Sequence, residues 1–152
     1  IANETSRELV LSGSPGEPLE YIPRVEGPSE LVFVPLDTRY VDVTGELRQE
    51  PVDGCWKFVG VDESEVSLLS NDIVASTELG SDDEYAVAYD VYDDSASESC
   101  FPAGEYTADP RVTIGDPGGS GFHVTVRVTL TVSEDGSVSL AAPTTESTEF
   151  SV

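Results

Sequence analysis

The sequence predicts an all-β chain folded as an antiparallel two-sheet sandwich, and three observations predict it. Apolar and polar residues alternate with period two through most of the ordered-looking runs. Those runs are short and are separated by turn chemistry: "SGSPGEP", "VEGPS", "PVDG", "FPAG" and "DPGGSG". Helical patterning is confined to "DESEVSLLSND", residues 62–72. There Asp62 and Glu65 make a weak capping-box pattern, while Val66, Leu68 and Leu69 fit a short turn or a distorted strand equally well.

In chain order, the strand expectations are "RELVLS" (7–12), "LEYIPR" (19–24), "ELVFVP" (30–35), "RYVDVT" (39–44), "CWKFVGV" (55–61) and "YAVAYDVY" (85–92). Next comes "EYTADPRVTIG" (105–115). Pro110 has no N–H to give a ladder, so this run is expected as two segments or an edge strand. The clearest case is "HVTVRVTLTV" (123–132), with Val124, Val126, Val128, Leu130 and Val132 on the dry face. His123, Thr125, Arg127, Thr129 and Thr131 fall on the wet one. Asp135-Gly136 then forms the tip of a hairpin joining 121–132 to 137–142. "PTTEST" (143–148) reads as a possible stalk or linker, and "TEFSV" (148–152) as a closing strand. About nine short strands with such turns define one domain over 1–152, immunoglobulin-like or jelly-roll in architecture. The immunoglobulin signature itself is missing, because Trp56 directly follows Cys55 and Glu98 stands where a Tyr would precede Cys100.

Charge bounds the environment. The chain carries 30 acids against 7 bases, a net charge of −23, and Lys57 is its only lysine. At ordinary ionic strength that charge opposes compaction. Screening shortens to about 3 Å at 1 M salt, where carboxylates serve as hydration sites. Excess acid, scarce lysine and modest hydrophobicity resemble proteins of halophilic archaea, in composition over the whole chain. That resemblance implies a secreted or cell-surface protein in high salt. Disorder is disfavoured by 38% hydrophobic residues, six tyrosines, five phenylalanines and valines in ordered alternation. Nucleic acid and anionic membrane surfaces are excluded as partners because no basic patch exists. No run approaches the ~20 apolar residues of a membrane span, so direct membrane insertion of this segment is not expected. Ile1 in place of an initiator methionine is read as a processed start, with a removed signal expected.

Four site readings follow. Cys55 and Cys100 are expected to pair as a structural disulfide, since extracytoplasmic cysteines usually do and the chain has no CxxC and one histidine. Asn3-Glu4-Thr5 is a sequon, which makes Asn3 a glycosylation candidate. The strand "YAVAYDVY" is bracketed by carboxylates that read first as two solvated ends. Second, Asp93, Asp94 and Glu98 are a weak calcium candidate, lacking the spacing and glycine of an EF-hand loop. No cofactor is otherwise expected. Catalysis has thin support: His123 sits on a wet strand face, and Ser120 in "GGSGF" lies in a hairpin loop rather than a nucleophile elbow.

The function expected is therefore a non-enzymatic extracellular or cell-surface structural module that works through protein partners or self-association. One alternative is a subunit of an extracellular filament or viral shell assembled by strand exchange, with "IANETSRELVLS" as the segment that could leave its own domain. A second is a carboxylate-based hydrolase.

Overall fold

The computed structural model describes residues 1–13, 16–22, 25–70, 73–94, 100–115 and 120–150. Its strands are β1 (Leu9–Gly13), β2 (Leu31–Pro35), β3 (Val41–Thr44), β4 (Ser67–Ser70), β5 (Ala75–Leu79) and β6 (Tyr89–Asp93). They continue with β7 (Gly104–Ala108), β8 (Arg111–Gly115), β9 (Gly121–Val132), β10 (Val138–Leu140) and β11 (Thr144–Phe150). All pairings between these strands are antiparallel. The fold is all-β, as the alternation predicts.

β9 organises the larger sheet. Its first half pairs with β8 on one edge and β11 on the other. Its second half pairs with β7 and β10 on the same two edges. β7 and β8 are thus one run interrupted at Asp109-Pro110, as the missing proline N–H requires. β8 hands on to β1, and β1 to β5. Two smaller ladders, β2–β6 and β3–β4, complete the fold.

The core lies between the β7–β9 end of this sheet and the β2–β6 ladder. Val25, Leu31, Tyr106, Ala108 and Val132 form it, with Phe33, Val91, Phe101 and Leu130 packed against it. This face-to-face packing of two apolar surfaces is the two-layer arrangement expected of a sandwich. Tyr106 is its anchor. The ring is buried, and the hydroxyl donates to the Pro102 carbonyl at 2.7 Å, with Ser29 Oγ at 3.0 Å. A tyrosine tied to backbone a few residues upstream has the geometry of a tyrosine corner. It also explains Gly27: a Cβ there would lie 2.4 Å from the Tyr106 ring.

Several elements differ from expectation. Residues 19–22 of the second expected strand form a turn, with Leu19 at φ 63°, and Pro23 and Arg24 lie outside the described residues. Residues 55–61 join their neighbours through isolated bridges instead of a continuous ladder. The stretch expected as helix or distorted strand supplies a short 3-10 turn, Val61–Glu63, and then β4. β5, "ASTEL", lay outside every expected run. Residues 143–148 are not a stalk: residues 144–150 pair in register with β9 from Arg127 back to Gly121. A Thr-rich strand exposed over residues 144–149 looks like a linker because it buries too little there to show a pattern. The dry face of β9 is also incompletely covered. Val132 is buried, but Val124, Val126, Val128 and Leu130 are half-buried.

Candidate functional site

The chemistry gathers where residues 55–59 lie beside the end of β6. The backbones of Lys57 and Asp93 meet in a parallel bridge. Asp93 N donates to the Trp56 carbonyl at 2.8 Å, and Phe58 N donates to the Asp93 carbonyl at 3.0 Å. These two bonds flank Lys57 and fix the two side chains on neighbouring positions. Lys57 Nζ reaches Asp93 Oδ2 at 3.1 Å, with side-chain exposures of 18% and 0%. The same oxygen accepts the Phe101 backbone N–H at 3.1 Å. On either side of Lys57, Trp56 and Phe58 both meet Tyr92 edge-on, with centroids 6.4 and 6.0 Å apart. Cys55 and Cys100 are joined, with Cα atoms 5.3 Å apart. The expected disulfide is therefore present, and it ties the start of the Lys57 segment to Cys100, next to the Phe101 whose N–H reaches Asp93.

The solvated-ends reading of the acidic strand needs correction at Asp93. This carboxylate is fully buried inside β6, held by a cation and a backbone donor as a buried charge must be. Its engagement with Lys57 and Phe101 also changes the calcium reading. Asp94 follows on the chain as an exposed residue. Partial burial of its carboxyl, then Glu30, then Asp93, hold that carboxyl above its ordinary range. Glu98, the third expected ligand, lies outside the described residues. Among the described residues no cluster of three or more His, Cys, Asp or Glu is placed to hold a metal.

Asn3 is likewise corrected. It is 1% exposed, and its Nδ2, the atom a glycan would occupy, donates to the carbonyls of Arg7 (2.8 Å), Leu79 (2.9 Å) and Gly80 (2.9 Å). Its Oδ1 accepts from Thr5 N at 3.0 Å and Thr5 Oγ1 at 2.7 Å. The Asn-x-Thr spacing that reads as a sequon is used here to pin the N-terminal segment to the end of β5. A sugar on Nδ2 has no room in this fold.

A second polar cluster was not legible in the sequence. Glu20 is buried, and its carboxylate accepts from Glu17 N at 3.0 Å and Arg39 N at 3.3 Å. Two phenols lie within its field. Tyr85 is pushed up to about 12 by burial, then by Glu17 and Glu20. Tyr89, whose hydroxyl donates to the Leu19 carbonyl, is also raised, by burial first and then by Tyr85 and Glu20. Unfolded tyrosines titrate near ~10. The stability these neutral phenols contribute is thus complete below pH ~10 and is lost as pH climbs toward about 12. An alkaline titration followed by circular dichroism and phenolate absorbance should show unfolding across that window, and Tyr85→Phe should soften it. Phenolate formation at ordinary pH without loss of fold would contradict this.

A concavity of about 720 Å³ is an open groove over β1, β8, β9 and β11. Arg111, Thr113, His123 and Glu146 line it. His123 is exposed on the wet face, as expected, with Nδ1 3.1 Å from Thr113 Oγ1. Among the described residues, no helix is long and apolar enough to cross a membrane. Comparison of the chain with family models, with curated proteins and with solved structures finds no match.

Proposed function

We propose that this chain is an extracellular or cell-surface structural module adapted to high salt, acting through protein contacts and not through catalysis. The observation that supports it best is how the charge is distributed. Of the acids whose exposure is described, Glu20 and Asp93 are buried; the others are half-buried or exposed. The only lysine is turned inward against Asp93. A carboxylate coat with so few cations is self-repelling in dilute buffer and screened in molar salt.

The expected result is a melting temperature that falls sharply on dilution to low salt and recovers when sodium chloride is restored. Mild acid should partly substitute, because protonation also removes the repulsion. A melt unchanged from low to molar salt would overturn the high-salt reading.

A second reading, a subunit that self-assembles, is favoured by one specific feature. β10 and β11 both pair along one side of β9, and among the described strands their own outer sides are an open edge of the sheet. Val138 (60%) and Leu140 (65%) are exposed there. Unprotected edges bearing apolar residues are templates for a neighbouring strand. Light scattering in molar salt separates the two: a monomer supports display, and long polymers support assembly.

A further inference from the structure

We propose that Lys57 and Asp93 condense inside the folded chain to form an amide, a second covalent cross-link beside the disulfide. Three features carry this. Backbone bonds on both sides of Lys57 set its residue beside Asp93, and Nζ lies 3.1 Å from Oδ2, so their encounter is intramolecular. Well-oriented pairs of this kind reach effective molarities of about 10⁵–10⁸ M. The Asp93 carboxyl is wholly buried and the Lys57 side chain is 18% exposed, so bulk water is largely kept from the pair. Finally, the Phe101 N–H already points at Asp93 Oδ2. That donor is where a negative oxygen would need support as the carbonyl carbon becomes tetrahedral.

The step balances without a co-reactant. The Nζ lone pair attacks Asp93 Cγ, and an N–C bond forms. Oδ2 carries the developing charge against Phe101 N–H. Of the ammonium's three protons, one passes to the other carboxyl oxygen before attack and frees the lone pair, and a second follows it after attack. That C–O bond then breaks, one water leaves, and the third proton stays on the amide nitrogen. Asp94 lines the same cavity of about 390 Å³ as Lys57 and Asp93, and its carboxyl can take up and return a proton there. The cavity is also an exit for the water. An ordinary buried ion pair would show the same Nζ–Oδ2 separation, and the mass of the chain tells the two apart.

The sequence makes the test nearly binary, because Lys57 is the only lysine. Full-length protein folded in molar salt is reduced, denatured and weighed by intact mass spectrometry, then treated with a lysine-specific endoprotease. The expected result is a mass one water below that of the reduced sequence and no cleavage after residue 57. Fragmentation with other proteases should yield a branched peptide joining the segments around Lys57 and Asp93. Asp93→Ala and Lys57→Arg should each restore the full mass, whether or not they fold, and Asp93→Ala should restore the single cut. Full mass with cleavage after Lys57 in the wild-type chain would overturn the proposal. So would loss of the same water in Asp93→Ala, which would place the dehydration elsewhere.

Discussion

Deleting residues 1–12 should abolish the folded monomer. β1 is an interior strand, paired with β5 over five positions and with β8 over three. Its Leu11 is fully buried. Ahead of it, the Ile1 ammonium donates to the Tyr85 carbonyl at 2.8 Å, and Asn3 holds the end of β5. Burial of one such leucine is worth about 1.5–3 kcal/mol. Loss of the strand also strands two rows of backbone donors and acceptors, each costing about 1–3 kcal/mol where no water reaches. Against a total stability of about 5–15 kcal/mol, this is decisive. The expected readout in molar salt is loss of the cooperative melt and an expanded or aggregated species on sizing. A deletion product that stays folded, and binds synthetic "IANETSRELVLS", would instead make this segment a donated strand and the chain an assembly subunit.

The second large effect is expected at the disulfide. It closes a loop with a sequence separation of 45, for which the chain-entropy relation gives roughly 4 kcal/mol. For a chain of this size that corresponds to a fall in melting temperature on the order of 10 °C. Cys55→Ala with Cys100→Ala, compared with wild type in the same molar salt, measures it. Cys55 is buried, so a small packing loss adds to the entropic one. A double variant that melts with wild type would mean the native contacts alone hold residues 55–59 against β6. It would then be the ion pair and its flanking backbone bonds that matter there.

What the sequence made legible follows from which forces leave a local trace. The β9 alternation, the break at Pro110 and the hairpin at Asp135-Gly136 are written in neighbouring residues, and each appears in the fold. The cysteine pair was readable from chemistry, since the chain has two cysteines, no CxxC and one histidine. β5 was not, because "ASTEL" buries only Ala75 and Leu79 and owes its existence to β1. Asp93 was misread for a related reason. A carboxylate flanked by acids looks solvated until tertiary structure brings Lys57, 36 positions away, to its side. Asn3 shows the opposite failure, a motif recognised correctly as a pattern whose atoms are spent on three carbonyls. Tyr106 gave no signal, since a tyrosine corner is defined by a hydroxyl contact and not by alternation.

The ring closed by Cys55 and Cys100 has a consequence for survival outside a cell. It contains β4, β5 and β6, and each pairs with a strand that precedes the ring: β4 with β3, β5 with β1 and β6 with β2. A protease that cuts once between residues 56 and 99 therefore releases nothing. Strands on each side of the cut keep their pairings, and the severed pieces stay one molecule through the disulfide. Nicked protein should co-migrate with intact protein on a non-reducing gel. After reduction a cut outside residues 57–93 should give two bands, whereas a cut inside that span stays one band if the Lys57–Asp93 amide is present. A cut in the long β9–β11 hairpin has no such insurance, which makes the open edge of the sheet the place where wear would first detach material.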